Sequence, residues 1–374
     1  MSSVWMGERL RVSVFGESHG PAIGAVADGL PDGEALDVAA LAAFMARRAP
    51  GGALSTPRRE ADAVRVLSGV KDGVTTGAPL AVLIENTNAR SRDYELFRRV
   101  PRPSHADYPA LLRYHGHADL AGGGHFSGRL TAPLCAAGGL CLQMLARRGV
   151  TVGAHLQEVA GIPDAAVDGG TLTREALQAV AGRSLPVFDE TAGERMREAI
   201  EAARAAGDSV GGVVELFALG LPGGLGDPMF GGVENRLAAA LFGIPAVRGV
   251  SFGAGFAAAR MRGSEHNDAY CACDGRVRTK TNHHGGVIGG ITTGEPLVVR
   301  MAVKPTASIA AVQHTLDLEA MAETPLSIGG RHDPCIAHRA VPVMEAVAAL
   351  VLLDLLLGQA GGGAAVEHMG HQAE

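Results

Sequence analysis

Aromatic side chains are scarce in this chain: one tryptophan, four tyrosines and ten phenylalanines make 4% of it, against 52 glycines. That balance implies close backbone packing and many special turns. Cysteine is sparse as well. The five present are an odd number without framework spacing, which suits a reducing compartment and argues against a disulfide-stapled fold. Cys271 and Cys273 make a CxC pair, too tight for the usual zinc knuckle, and read as thiols in a turn. An excess of positive charge is missing too. The formal charge of −6 argues against non-specific nucleic-acid binding while leaving room for a local basic pocket. There is no comfortable membrane span: the most apolar run, Val341 to Leu357, carries Glu345 and Asp354 and reads as a buried helix. The opening residues MSSVWMGERLRVSVFG lack an apolar signal core and a cleavage site, so a cytoplasmic protein is expected.

What is present is enough for one large core or two medium ones, with 374 residues and 47% hydrophobic content. Leu10, Val12 and Val14 alternate with Arg11 and Ser13 as a half-buried strand does. A second alternating run, Ile23 to Ala27, makes a hairpin whose tip is Gly16-Glu17-Ser18-His19-Gly20. Asp37 should cap a short helix through Val38, Leu41 and Met45. Gly51 to Arg59 has no period and reads as a mobile basic loop, followed by strand-like pieces at Ala63–Leu67 and Leu80–Ile84. Leu130 to Leu145 keeps helical spacing and predicts an amphipathic helix. Glu190 to Ala206 is a charged helix joining two halves. Val213–Leu219 and Leu297–Val303 read as strands that lead into proline turns, much as the first hairpin does, which suggests a duplicated layout. Gly361 to Glu374 is low in complexity and reads as a frayed tail.

The chemistry concentrates in Arg102–Thr131, a loop-like run with four histidines, three consecutive glycines and Arg129. His19 and His105 each stand beside a carboxylate, Glu17 and Asp107, which can hold an imidazole in one tautomer for proton transfer. Gly122-Gly123-Gly124 ahead of a helix offers backbone N–H groups to an anion, and Arg129 matches phosphate geometry. His115, His117 and Asp119 form an HxHxD pattern with metal-ligand spacing, but Leu120 follows in place of a further ligand. Lys304-Pro305-Thr306-Ala307-Ser308 reads either as an anion clamp or as an ordinary helix cap, and Arg331-His332-Asp333 either as a charge cluster of the site or as a solvated turn. Together these features suit a polyanionic small molecule better than a macromolecule.

Seven segments carry a resemblance. GESHG (16–20), RRAPGG (47–52), RPSHADY (102–108), GGGHFSGRLTA (122–132), GGVIGGITTG (285–294), KPTAS (304–308) and RHDPC (331–335) resemble the chorismate synthase family, in the family's order. The resemblance implies an α+β sandwich with helices between two antiparallel sheets, pseudo-duplicated and assembled as a homotetramer. A single domain over 1–358 is expected, followed by a flexible tail at 359–374. It implies a carbon–oxygen lyase that converts 5-enolpyruvylshikimate 3-phosphate to chorismate and phosphate by a 1,4-elimination requiring reduced FMN. No metal is implied, and no nucleic-acid or membrane partner.

By the same resemblance His19 protonates departing phosphate, His105 stands near the flavin, and Ser18, Ser127 and Asp333 relay protons. Arg48, Arg102, Arg129 and Arg331 match substrate-anion contacts, and Arg48 also matches a position assigned to NADP. For FMN the matches are His125, Phe126, Ser127, Pro245, Ala246, Gly289, Lys304, Pro305, Thr306, Ala307, Ser308 and Arg331. This chain departs where His125-Phe126 replaces a commoner Arg-Ser, and where Leu54 stands in place of an arginine, with Arg58 or Arg59 as substitutes. An external flavin reductase is the expected source of reduced FMN.

Overall fold

The computed structural model describes residues 3–49, 54, 62–87, 96–273, 275–329 and 332–360. Two antiparallel sheets face each other across a helical layer. In the first, β1 (Val4–Met6), β2 (Arg11–Gly16), β3 (Ala22–Asp28), β4 (Arg65–Ser68) and β5 (Leu80–Glu85) lie in the order β1-β2-β3-β5-β4. The second contains β6 (Thr151–Val159), β7 (Ile162–Pro163), β8 (Gly212–Leu219), β9 (Val247–Phe252) and β10 (Leu297–Val303). Its order, read from one edge, is β7-β6-β8-β10-β9. In each sheet the third strand pairs with the fifth, and the fourth lies outside it. The suspected duplication thus has a topological counterpart, although the first two strands are exchanged.

The hairpin of β2 and β3 forms with Gly16 opposite Ile23. Its alternation is physical: Val12, Ile23, Ala25 and Ala27 are buried while Arg11 and Phe15 are exposed. Helix α1 (Val38–Arg48) begins where Asp37 accepts the Ala40 N–H, and buries Leu41 and Met45. Helix α2 (Asp107–Tyr114) corrects the reading of 102–131 as a single loop-like run. Only two of its eight residues, Asp107 and Ala110, are buried, so its apolar signal is thin. Helices α4 (Arg174–Ala181) and α6 (Val233–Phe242), and strands β6 and β9, were also not anticipated. α5 (Glu190–Ala205) is, and Asp189 caps it.

Helix α3 (Thr131–Arg147) is more deeply buried than an amphipathic helix, with twelve of its seventeen residues inside. It packs against the first sheet on one side and against α7 (Ala337–Ala360) on the other, and α7 packs against β6 and β8. A Cβ at Gly138 would meet the Ala346 carbonyl oxygen at 2.3 Å, so the two core helices touch backbone to backbone. Small residues let α3 lose its polar face without leaving voids. The acids of α7 are explained by what they hold. Glu345 takes a two-pronged contact from Arg47 at 2.6 and 2.8 Å and also accepts the Ala154 N–H of β6. Asp354 accepts the N–H groups of Glu8, Arg9 and Leu10. Cys271 and Cys273 lie on a strand, Tyr270–Cys273, and not in a turn.

Candidate active site

The hairpin tip is fixed from beneath by Asn86, just past β5. Its amide donates to the Glu17 and Gly20 carbonyls at 3.0 and 2.8 Å, and its oxygen accepts Arg129 Nε at 3.1 Å. The Ser18 N–H donates to Gly124 O at 3.1 Å, which ties the tip to the glycine run. Gly122, Gly123 and Gly124 have φ of 62°, 87° and 52°, the left-handed region that side chains disfavour. Space enforces the same choice. A Cβ at Gly122 would lie 2.6 Å from His19 Nε2 and 2.8 Å from Ser18 Oγ, and one at Gly123 would lie 3.4 Å from His105 Nε2 and 3.5 Å from Ser127 Cβ. Two imidazoles and two serines therefore flank consecutive glycines on one bare backbone shelf.

His105 is held from behind. The fully buried Asp107 carboxylate lies 2.6 Å from His105 Nδ1 and accepts Arg102 Nε and Nη2, each at 2.7 Å. Burial alone would push the Asp107 carboxyl up, but the hydrogen bonds and charges of Arg102 and His105 hold it well below the usual carboxylate range. An ionised carboxylate only accepts, so the Nδ1 of His105 carries a proton and Nε2 faces the shelf. Arg102 also donates to Ser308 Oγ at 3.1 Å, and its guanidinium lies over the Phe97 ring, 4.4 Å from the centroid.

A second cationic group is joined to the hairpin tip through Asn86. Arg48 and Arg129 both bond to Asp62, and Arg48 also donates to Thr131 Oγ1 at 3.1 Å. Both guanidiniums are buried, and burial lowers the Arg48 pKa to about 10 despite Asp62. One carboxylate thus serves two cations in a dry setting. Arg339 joins this group to the rest by donating to the Arg48 carbonyl at 2.9 Å and to Asp333 at 2.5 Å. The Asp333 carbonyl accepts Thr306 Oγ1 at 2.9 Å.

No helix starts at Lys304–Ser308, which rules out the helix-cap reading of that turn. Lys304 Nζ donates to Ser104 O at 2.5 Å, and its N–H donates to the carbonyl of Ala246, whose φ is 74°. Pro245 and Ala246 are brought in by that bond, and Pro305 and Ala307 follow with the turn. Ser127 accepts the Arg129 N–H at 3.2 Å.

Other predicted residues go elsewhere. Both ring nitrogens of His125 face the protein, Nδ1 2.8 Å from Gly16 O and Nε2 2.5 Å from Ser3 Oγ. Its side chain ties Gly16, where β2 ends, to Ser3. Phe126 is exposed and faces Tyr114, ring centroids 6.2 Å apart. Gly289 lies in a tight turn whose neighbours Gly290 and Thr292 bond to Val233 and Leu225 of the α6 approach. Arg331, Arg58, Arg59 and most of the expected mobile loop lie outside the described residues. His115 ends α2 in a left-handed conformation, and the Asp119 carboxylate accepts the Ala121 N–H. Burial and then the neighbouring Asp119 carboxylate raise the Glu17 pKa.

Asp62, Asn86 and Arg339 were not singled out from the sequence. Asn86 opens a polar run at a strand end, a usable signal. Asp62 and Arg339 had none, because their roles arise only when distant segments meet.

The arrangement can hold several anionic groups over a shelf and move protons to and from them. The family model described as chorismate synthase matches residues 10–357. The chain is 50% identical to the chorismate synthase of Aeropyrum pernix over 94% of its length and 92% of that protein. It is 49% identical to that of Thermococcus gammatolerans, over 94% and 97%. A crystal structure of chorismate synthase superposes with a TM-score of 0.73 at 26% identity, covering 95% of this chain and 94% of the other. These matches span both sheets and every segment of the site described above, and the chain belongs to the chorismate synthase family, carbon–oxygen lyases acting on phosphates (EC 4.2.3.5) that form chorismate in the shikimate pathway.

Proposed function

We propose that the chain acts on 5-enolpyruvylshikimate 3-phosphate by a 1,4-elimination that requires reduced FMN. The observation that carries the reading is the placement of His19 and His105 against the consecutive glycines Gly122 and Gly123. A proton leaves C6 and phosphate leaves C3, with no net redox change, so charge must be met at both ends of the ring. Arg48 and Arg129, sharing one carboxylate, and Arg102 suit the substrate's carboxylates and phosphate. His19 delivers a proton to the departing phosphate, with Ser18 beside it. His105, its Nδ1 fixed by Asp107, presents Nε2 to the shelf.

The donor set fits a flavin phosphate and ring. Lys304 keeps two ammonium protons beyond its bond to Ser104, the Ser308 hydroxyl proton is not used in accepting from Arg102, and the shelf is bare of side chains. Reduced FMN, when bound over the shelf beside Lys304 and Ser308, would supply transient electron density to the elimination. His125 would contribute backbone only, since its ring is engaged with Gly16 and Ser3. A cytoplasmic homotetramer supplied by an external flavin reductase completes the reading. The exposure of Met229, Phe230 and Phe256, 80%, 90% and 87%, favours partner surfaces in that assembly.

The test is an anaerobic assay with this substrate and chemically reduced FMN, without added metal. Chorismate should form. No turnover there, with hydrolysis of a test ester restored by metal, would replace this reading with a hydrolase built on His115, His117 and Asp119.

A further inference from the structure

Behind α1, away from the histidine shelf, lies a cavity of about 240 Å³ between the end of α1, the segment after α4, helix α5 and the start of α7. Its polar lining is Arg183, Ser184, Arg197, His338 and Arg339, and its apolar lining includes Leu54, Pro186, Val341 and Pro342. Arg47 also borders the space, but both its terminal nitrogens are committed to Glu345.

Among the other cations, Arg183 is tied through Nη1 to the Val187 and Phe188 carbonyls at 2.8 and 3.3 Å and lies 3.6 Å from Glu190, whereas Arg197 reaches Glu194 at 3.4 Å through Nε. Those carboxylates are 83% and 68% exposed, so water screens both pairs. The terminal nitrogens of Arg197 have no hydrogen-bond partner among the described residues. Arg339 uses Nε and Nη1 toward Arg48 and Asp333, which leaves Nη2 available. His338 lines the same space, and its Nδ1 is buried without a hydrogen-bond partner. Burial first, then Arg339, lowers its pKa to about 4, so at neutral pH the ring is uncharged and can offer one N–H. Donors of this kind in a space also lined by apolar side chains are incomplete by themselves.

We propose that this cavity is a second anion site, taking a phosphate or carboxylate group carried on a small apolar body. The anion is held between Arg197, Arg339 and Ser184, with the His338 ring beside them, while the body lies against Leu54, Pro186 and Val341. The site is separate from the substrate shelf but shares a wall with it through Arg339, and it stands whether or not the elimination reading holds.

The test uses full-length protein labelled with ¹⁵N in its histidine rings, titrated with phenyl phosphate and, separately, with inorganic phosphate. The His338 signal is identified by its loss in His338→Asn. It should shift saturably, with phenyl phosphate binding at least tenfold tighter than inorganic phosphate. Arg197→Met should weaken that shift at least tenfold while the His19 and His105 signals respond as in the wild type. A His338 signal that does not move, or an Arg197→Met affinity within tenfold of wild type, overturns the site. Equal affinity for the two phosphates overturns the apolar body. Should Arg197→Met fail to fold, Arg197→Gln carries the same criteria.

Discussion

Gly122 and His19 fit together through a missing side chain: a Cβ on the glycine would stand 2.6 Å from the imidazole Nε2. Gly122→Ala therefore displaces His19 or twists a backbone held at φ 62°. A displacement near an ångström costs roughly 100-fold in rate when the group is catalytic. Steady-state turnover with chemically reduced FMN should fall by about that factor, while circular dichroism stays native. Turnover within twofold of wild type would remove His19 from its assigned position.

Asp107→Asn leaves the buried Arg102 without its carboxylate. Breaking a buried pair from one side costs about 3–5 kcal/mol. Urea unfolding should show a loss in that range. Arg102→Met with Asp107→Asn together should recover part of it, because neither charge is then stranded. A single variant as stable as wild type would mean that the pair contributes little.

His155 predicts a pH dependence of stability remote from the shelf. Its two nitrogens face Asp164 at 2.9 Å and Glu215 at 3.0 Å, wholly buried. Burial would lower its pKa, but the hydrogen bonds and charges of the two carboxylates win and raise it above 6.5. A raised histidine contributes stability that is complete below about 6.5 and lost as pH climbs through the folded value. Asp164 has the opposite sign: against its burial, the bond from His155 and the N–H groups of Phe188 and Asp189 lower its pKa. Its contribution is complete above 3.8 and lost as pH falls through the lowered value. The stability gap between wild type and His155→Gln should be widest between those limits and narrow toward pH 9. A gap constant across that range would contradict the charged state of His155.

Asp354→Ala removes the acceptor of three consecutive N–H groups, one of them on the buried Leu10. The cost should be about 1–3 kcal/mol. Hydrogen exchange at Glu8, Arg9 and Leu10 should accelerate ahead of the rest of the first sheet. Unchanged protection there would show that Asp354 serves α7 alone.

Local patterns could be read from the chain wherever one face met solvent. The β2–β3 alternation, the Asp37 cap and the α5 charges all qualify, since each depends on neighbours in sequence. α3 misled because Gly138 and Gly139 pack against α7 and α1, so its polar face never formed. β6 escaped notice because His155 and Glu158 interrupt its apolar run, and the partners that neutralise His155 are brought in by folding. In the site, His19, His105, Arg102 and Arg129 were visible by type and spacing. Asp62, which joins Arg48 to Arg129, was not: an acid after a basic stretch has no signature until three segments meet.

That shared carboxylate has one more implication. Asp62 spreads one negative charge over the two guanidiniums it touches, a pairing that a bound anion would strengthen. Occupancy should then be felt as melting temperature as much as turnover, with a dianion raising it even where no reaction can follow.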